Sequence, residues 1–359
     1  MPTRRGFLAG SAAALLAGTG DASAQGATPR VRVIDVHAHW YPPEWVALME
    51  REGEANGAKM GRNARGHVTA SVPNLSVSFQ PQYIDVGSRL QAMDKAGVAM
   101  HALSLTQPMV FWAPPSFGLE LCRTFNDACV AVHQKYPDRF VGLAMLPMQD
   151  PGLAVLELDR VAMLPGIRGI YMATHINGKN LDEKDNWPVY ARCEERGLPI
   201  LLHPVNPVGA DRMRGYHLRN FIGNPTDTAI AAASFIFSGA LDAFPKLDIV
   251  LPHAGGVFPI LIGRWDHGAT VRPEVKNLKH PPSHYLRRFH YDTVAHSAAI
   301  LMNLVRQVGV DRIVTGTDFP ADMSDVDPVR TVESLTELST SNRDLILRGN
   351  AARLLKLDA

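Results

Sequence analysis

From Val31 onward, short apolar runs alternate with longer amphipathic segments. Eight of these runs, rich in β-branched residues, predict strands at residues 31–36, 100–105, 140–146, 167–172, 199–202, 247–251, 289–294 and 312–315. Helical periodicity lies between them, as at residues 84–96, 119–136, 187–196, 227–244 and 298–308. Because eight strands alternating with helices close into a barrel, the pattern predicts an α/β fold, a single (β/α)8 TIM barrel.

Helix-ending residues support these boundaries. Gly97 precedes the second predicted strand, Pro137 the third, Gly197 the fifth and Pro245 the sixth. No internal repeat, low-complexity tract or linker divides the sequence, so residues 30–359 are expected to form one domain.

Residues 41–82 interrupt the alternation directly after the first strand. The segment is rich in Gly and Pro before Pro73 and has no clear periodicity. In a barrel, such an insertion is a long βα loop at the carboxyl face, where loops form lids and substrate walls. We therefore expect residues 41–82 to act as a lid or cap.

The first 25 residues predict an export signal rather than part of the fold. Arg4 and Arg5 precede a short apolar run at residues 7–18, and small residues at 22–24 resemble a cleavage site. The paired arginines resemble a twin-arginine signal, which predicts export to the periplasm. The apolar run is too short to cross a bilayer as a helix, so no membrane anchor is expected.

Charge and cysteine content narrow the choice of partners. The 359 residues contain 36 Lys+Arg and 35 Asp+Glu; the signal holds two arginines and one aspartate, so the remainder has 34 of each. A neutral chain argues against a nucleic-acid partner and favours a small-molecule substrate. Cys122 and Cys129, on one predicted helix, would be about 10.5 Å apart, too far to form a disulfide. With Cys193, they are expected to be buried thiols.

The first predicted strand ends in two histidines. Alternate side chains of a strand point the same way, so His37 and His39 share one face at its carboxyl end. Two imidazoles in this position form half of a metal site.

Three further strand ends carry polar groups. His203 follows the fifth strand, His253 the sixth, and Thr317 and Asp318 follow the eighth. Any one of these alone is compatible with an ordinary buried polar residue. In a barrel, however, catalytic residues lie where the carboxyl ends of the strands meet, so the four ends together predict an active site.

The surrounding sequence resembles the amidohydrolase superfamily, in the branch of aminocarboxymuconate semialdehyde decarboxylase and related aromatic-acid decarboxylases. The resemblance runs from about Val33 to the carboxyl terminus. Its most specific stretches are Ile222-Gly-Asn-Pro-Thr-Asp-Thr-Ala-Ile, Phe244-Pro-Lys-Leu, His253-Ala-Gly-Gly-Val-Phe-Pro, Gly263-Arg-Trp-Asp-His-Gly, Thr317-Asp-Phe-Pro and Gly349-Asn-Ala.

The resemblance implies a single divalent metal ion. Its ligands would be His37, His39, His203 and Asp318, and His253 would lie beside the metal-bound water as general acid and base. Imidazole and carboxylate ligands suit zinc, with manganese as the alternative. Asp318 and His253 are therefore the expected catalytic residues.

Arg264 is the expected substrate-binding residue. In decarboxylases of this family, an arginine at this place contacts the substrate carboxylate, often in the neighbouring subunit's site, which implies a homodimer. A guanidinium group suits a carboxylate geometrically, although a surface salt bridge would also explain this residue. Members that hold a second carboxylate have an arginine where this sequence reads Ser76-Val-Ser-Phe-Gln80. The sequence thus offers no residue there for a second substrate carboxylate.

Three functions fit these residues. The leading hypothesis is a metal-dependent decarboxylase of a small aromatic or unsaturated carboxylic acid. A metal-dependent hydrolase of a lactone, amide or C–C bond would use the same ligands. A non-catalytic metal- or ligand-binding barrel is the third alternative, but it would not need a general base at His253.

Several other residues are weaker candidates for the site. They follow strands or lie in loops of the expected active face: Trp40, Phe111, Trp112, Tyr171, Met172, His175, His217 and His296.

Overall fold

A curved sheet of parallel strands lies at the centre of the protein. The computed structural model describes residues 33–275 and 278–357, so the predicted export signal lies outside the described residues. The strands are β1 Val33–His39, β2 Lys59–Arg62, β3 Val68–Val72, β4 Leu75–Ser78, β5 Val98–Ser104, β6 Phe140–Met145, β7 Ile167–Ala173, β8 His175–Ile176, β9 Lys179–Asn180, β10 Ile200–His203, β11 Ile249–Leu251 and β12 Phe289–Tyr291. Seven of them form the central sheet in the order β1-β5-β6-β7-β10-β11-β12, and every neighbouring pair is parallel.

Helices follow the strands along the chain, as expected for βαβ units. They are α1 Pro43–Glu52, α2 Pro81–Ile84, α3 Val86–Ala96, α4 Pro115–Lys135, α5 Pro151–Val161, α6 Trp187–Arg196, α7 Asn224–Phe237, α8 Ala240–Ala243, α9 Phe258–Val271, α10 Ala298–Val308, α11 Pro328–Glu333, α12 Thr340–Asp344 and α13 Asn350–Leu354. The predicted helix at 227–244 is in fact two helices, because Gly239 has a left-handed φ of 78°. The predicted glycine stops are confirmed, since Gly97 and Gly197 end α3 and α6 in the same conformation.

The eighth predicted strand, at residues 312–315, is not a regular strand. Single bridges join Ile313 to Tyr291 of β12 and Phe319 to Ala38 of β1, and these bridges close the barrel. Between the bridges, the amide of Gly316 donates to the Thr293 side chain rather than to a backbone carbonyl. A side-chain acceptor thus replaces part of the ladder directly after this run, and the amide of Ile313 within it donates to the carbonyl oxygen of Val310 in a turn. The expected TIM-barrel fold is confirmed.

The insertion at residues 41–82 has regular structure of its own. It contains α1 and an antiparallel sheet of β2, β3 and β4, where the sequence suggested only a loop. Tyr41, Trp45 and Phe79 anchor it, with Tyr41 4.9 Å from Phe79 and 5.9 Å from Trp45 between ring centroids. The three strands are four or five residues long and mostly half-exposed, so they carry little hydrophobic pattern.

The cysteine prediction is confirmed. Cys122, Cys129 and Cys193 are buried and free, and burial raises the pKa of the Cys129 thiol above its usual range. Across residues 33–275 and 278–357, no helix combines the length and apolar character that crossing a membrane requires.

Candidate metal centre

Three imidazoles and one carboxylate meet at the carboxyl ends of the strands. His37 and His39 lie on β1, His203 ends β10, and Asp318 follows the segment that closes the barrel. One ligand atom from each residue lies within 4.8 Å of the others, and all four side chains are buried. Among the residues that the structure describes, this is the single group of three or more such side chains. The structure thus brings together the four residues that the family resemblance implied as metal ligands.

The Nε2 atoms of the three histidines point to one carboxylate oxygen. Oδ1 of Asp318 lies 2.8 Å from Nε2 of His39, 3.3 Å from Nε2 of His37 and 3.9 Å from Nε2 of His203. In the described part of the chain, neither His37 Nε2 nor His203 Nε2 has a hydrogen-bond partner, although both are buried. Buried polar atoms without a partner are costly, and a bound cation would satisfy them.

The other ring nitrogens of His37 and His203 fix the tautomer. Nδ1 of His37 lies 2.7 Å from Oδ2 of Asp292, and Nδ1 of His203 lies 2.9 Å from the carbonyl oxygen of Pro204. Both oxygens act as acceptors, so both Nδ1 atoms donate. A neutral imidazole that donates from Nδ1 has its lone pair on Nε2, which is the form that binds a metal.

His39 reaches the same tautomer through a hydroxyl group. Nδ1 of His39 lies 3.0 Å from Oγ of Ser104, and this hydroxyl donates its own proton to the carbonyl oxygen of Ala38, 3.2 Å away. Oγ therefore accepts from Nδ1 of His39 and leaves Nε2 with its lone pair. All three Nε2 atoms can act as ligands at once.

Charge at the centre also favours a cation. Burial alone would raise the pKa of Asp318, but the His37 charge and hydrogen bonds from neighbouring imidazoles hold it well below its usual range. Burial lowers the pKa of His39 to about 4 and holds that of His203 well below its usual range, so both stay neutral. The pKa of His37 instead rises to about 10 despite burial, because Asp318 and Asp292 attract positive charge. A divalent ion would supply that charge at a three-histidine, one-carboxylate site with room for a further ligand.

His253 lies beside this centre without belonging to it. Its Nε2 is 3.6 Å from Oδ2 of Asp318, and its ring centroid is 5.3 Å from that of His37 and 5.4 Å from that of His203. The side chain is 15% exposed, whereas the other three histidines are at most 6% exposed. His253 is therefore the most accessible of the four histidines at this centre.

The loop that carries His253 has an unusual backbone. Residues 253–256 all have left-handed φ angles, between 53° and 80°, directly after β11. Conformations of this kind cost free energy at non-glycine residues and are often found at active sites. The turn aims His253 at the carboxylate of Asp318. Gly256 permits the close approach to α7, because a Cβ there would lie 2.2 Å from the carbonyl oxygen of Pro225.

Gly256→Ala is expected to lower the free energy of unfolding by about 2–4 kcal/mol. The substitution puts a non-glycine residue at a positive φ, and its Cβ clashes with α7. Thermal or urea unfolding measures the loss. Gly263→Ala on α9 is the matched control, because a Cβ there meets nothing within 4 Å. That variant should be neutral or slightly more stable. Equal stability of the two variants would contradict the packing described for Gly256.

Two cavities meet at the metal centre. One, of about 590 Å³, is lined by His253 and by apolar residues of α9 and α10. The other, of about 480 Å³, contains His39 and His203, and its wall includes Leu75 and Val77 of the insertion. Asp318 lines both. The insertion thus borders the site, and its action as a lid stays a prediction.

A family model described as amidohydrolase matches residues 34–357. The chain belongs to the amidohydrolase family. A relative in Dictyostelium discoideum, 2-amino-3-carboxymuconate-6-semialdehyde decarboxylase, is 33% identical over 330 residues, covering 90% of this chain and 92% of its own. The comparison places this enzyme in the branch of the superfamily that the sequence motifs suggested.

Solved structures agree with this placement. The 5-carboxyvanillate decarboxylase of Sphingomonas paucimobilis has a TM-score of 0.79 and 28% identity, covering 91% of this chain and 100% of that one. A dihydroxybenzoic acid decarboxylase from Polaromonas sp. JS666, with bound manganese and the inhibitor 2-nitroresorcinol, has a TM-score of 0.75 and 28% identity, covering 91% and 98%.

Arg264 does not join the site of its own chain in this amidohydrolase. It is exposed on α9 and lines a separate surface groove with Phe237 and Trp265. It forms no ion pair or side-chain hydrogen bond with any residue in the described ranges. Its predicted contact with substrate stays a prediction.

The weaker candidates divide between three places. His296 lines the larger cavity at the centre and His217 the smaller one. Phe111, Trp112 and His175 line a different cavity that contains none of the four ligand residues. The remaining three are buried in the core: Trp40, Tyr171 and Met172.

Asp292 is a functional residue that the sequence reasoning missed. Its Oδ2 accepts from His37 Nδ1, and its Oδ1 accepts from the amides of Ala254 and Val294 at 2.9 and 3.0 Å. One carboxylate thus orients a ligand histidine and fixes the loop of His253. Burial opposes its ionisation, but the His37 bond and charge lower the pKa of Asp292. It directly follows β12, but the predicted strand at 289–294 extended beyond it, so the strand-end pattern that identified the other residues did not mark Asp292.

Asp292→Asn is expected to weaken metal affinity by about 10- to 100-fold, because partners of ligand histidines tune both their orientation and their basicity. Competition with a chromophoric chelator measures the loss. Asp248→Asn serves as the control. Asp248 also contacts a histidine, with its Oδ1 3.4 Å from Nε2 of His290, but this pair lies outside the metal centre. A similar affinity in both variants would contradict the role given to Asp292.

Asp35 is the second residue missed. Its buried carboxylate accepts from the hydroxyl and the amide of Thr317 and from the amide of His37. Burial raises the pKa of Asp35 to about 7. The residue joins β1 to the segment carrying Asp318, so it holds the two halves of the ligand set together.

Proposed function

We propose that this amidohydrolase is a metal-dependent decarboxylase of a small aromatic or unsaturated carboxylic acid. The observation that carries the proposal is the ligand-ready set of three histidines and Asp318, with the accessible His253 beside it. Relatives that cover nearly the whole chain are decarboxylases of such acids. His37, His39, His203 and Asp318 would hold the ion.

When bound, a divalent ion polarises and orients the oxygen atoms of a substrate. In decarboxylation, the bond between the ring carbon and the carboxylate breaks, CO₂ leaves, and the electron pair on carbon takes a proton. His253 would deliver that proton, because it lines the larger cavity directly beside the metal-ligand residues. Asp318 lies 3.6 Å from its Nε2 and would stabilise the protonated imidazole. The apolar cavity walls would limit the access of water.

The test is CO₂ release from a panel of ortho-hydroxybenzoates labelled with ¹³C in the carboxyl group. Protein reconstituted with Zn²⁺ or Mn²⁺ should release labelled CO₂ and the corresponding phenol in equal amounts. Incubation in H₂¹⁸O with lactones and amides tests the hydrolase alternative. Silence across the acid panel together with ¹⁸O in a hydrolysis product would overturn the decarboxylase proposal.

We propose zinc as the resident ion, with manganese as the alternative. Three imidazoles and one carboxylate are ligands that zinc ordinarily binds in proteins. The manganese bound by the Polaromonas enzyme supports the alternative. Elemental analysis of protein purified without added metal distinguishes the two.

We further propose a homodimer in which Arg264 contacts the substrate carboxylate in the neighbouring subunit's site. Its exposure on α9 supports this role, since the side chain is free to reach another molecule. Mixing Arg264→Ala with His253→Ala chains tests it. Mixed dimers should regain activity in one site of two, whereas no recovery in proven mixed dimers would contradict a contact between subunits.

Export to the periplasm by the twin-arginine route is proposed from residues 1–25 alone. A fusion of this segment to a reporter should be exported, and replacing Arg4 and Arg5 by lysine should retain it in the cytoplasm. Export of both fusions alike would contradict the assignment.

A further inference from the structure

The smaller cavity at the metal centre has basic side chains on one wall. Arg214, His217 and Arg219 come from the loop between β10 and α7, and they share this space with Asp318. The residues of the insertion that line this cavity are uncharged and include Leu75, Val77, Ser78 and Gln80. Any cationic contact in this cavity must therefore come from the loop.

Arg219 already has structural partners. Its Nη2 donates to the side-chain oxygen of Asn206 at 2.6 Å and to the carbonyl oxygen of Asn74 at 3.3 Å. These bonds tie the loop to the tip of the insertion. They also use the guanidinium group that would otherwise be available to a ligand.

Arg214 has no comparable partner. Within residues 33–275 and 278–357 it forms neither an ion pair nor a side-chain hydrogen bond, and its side chain is exposed. Asp322 lines the same cavity but is not paired with it. A charged guanidinium with unused donors at a cavity wall is suited to a carboxylate.

The backbone beside Arg214 is held in an uncommon conformation. Tyr216 and His217 both have left-handed φ angles, 55° and 59°. The ring of His217 packs edge-on against Phe221, with 5.3 Å between centroids. Consecutive non-glycine residues in this region carry strain that the surrounding contacts must offset. The turn places both basic residues on the cavity wall.

The larger cavity has the opposite character. Apart from Asp318, its lining contains no Lys, Arg, Asp or Glu side chain, and it is the cavity that His253 faces. A carboxylate that reacts beside His253 therefore lies in a different cavity from an acidic group that contacts Arg214. A substrate that places an acidic group at each of these positions carries two acidic groups.

We infer that Arg214, with His217 next to it, binds a second acidic group of the substrate, distant from the reacting carboxylate. The inference rests on the proposed decarboxylase function and narrows its substrate class to aromatic or unsaturated diacids. It also supplies, from a different loop, the cationic residue that the segment 76–80 lacks. Arg214 is thus a specificity-determining residue.

Binding of two unreactive ligands tests this directly. One is 3-methoxy-4-hydroxy-5-nitrobenzoate, in which a nitro group replaces the reacting carboxylate while the second carboxylate remains. The other is the same phenol without its carboxyl group. Titration calorimetry on metal-loaded protein should show that the carboxylate improves affinity by about two- to fivefold, the scale of an exposed charge pair.

In Arg214→Ala, the ratio of the affinities for the two ligands should fall towards one. Arg214→Lys should restore part of this affinity ratio. Arg212→Ala is the matched control, because it removes the same charge from the same loop but lies outside the cavity lining. An unchanged ratio in Arg214→Ala, or an equal fall in Arg212→Ala, would overturn the inference. Because neither ligand reacts, these results stand apart from CO₂ release, which alone decides the proposed function.

Discussion

Purified His37→Ala protein is expected to contain almost no bound metal, whereas the unaltered chain should contain one ion per chain. Nε2 of His37 is one of four atoms that converge within 4.8 Å. Its removal leaves three ligands and also frees Asp292, which then lies buried without its 2.7 Å partner. Asp318→Ala should have the same result, because it removes the oxygen on which all three histidines converge.

Elemental analysis after dialysis measures both losses, and catalytic turnover should fall with metal content. His280→Ala provides the control, since His280 is exposed and stacks on His284 outside the site. Full metal retention in either ligand variant would refute the assignment of that residue. Circular dichroism shows whether the fold is kept.

His253→Ala is expected to keep its metal and lose most of its activity. Removing a positioned general acid or base typically costs about 10²- to 10⁴-fold in kcat. Affinity for an unreactive nitrophenol should change much less, because His253 is not among the four ligand residues. This combination separates a proton-transfer role from a structural one.

The decisive comparison is kcat against metal content in the same preparation. His253→Gln keeps the polarity and much of the volume of the side chain but cannot transfer a proton, so it should be nearly as inactive as His253→Ala. Turnover within about threefold of the unaltered enzyme in either variant, with metal retained, would contradict the catalytic role.

The strand pattern predicted the position of the site because chemistry and topology coincide there. His203 and His253 each follow a short apolar run, and parallel strands bring such ends together whatever lies between them. This coincidence depends only on the order of the strands. It therefore placed side chains that are far apart in sequence, such as His39 and Asp318.

What the pattern did not reveal depends on single side-chain contacts. Asp292 directly follows β12, just as His203 ends β10, but only the 2.7 Å contact with His37 shows its task. Directly after the predicted strand at 312–315, the amides of Gly316 and Thr317 donate to the Thr293 and Asp35 side chains, so regular strand pairing does not continue there. The hydrophobic periodicity of the sequence contains no information about such side-chain contacts.

The structure of the insertion and the role of the loop after β10 were harder still to predict from the sequence. Strands β2 to β4 have one weakly packed face, so their sequence resembles that of a loop. Arg214 belongs to no motif, and its significance comes only from the cavity wall on which it lies. Specificity here depends on loops, while the metal ligands depend on the barrel, as the division of labour in this fold predicts.

The most direct test of the account is anomalous diffraction from crystals of the metal-loaded protein, recorded on both sides of the Zn and Mn absorption edges. We predict one peak per chain, bounded by Nε2 of His37, His39 and His203 and by Oδ1 of Asp318, at about 2.0–2.2 Å from each. A peak held by other side chains, or two peaks at this site, would contradict a single-metal centre built on these four residues.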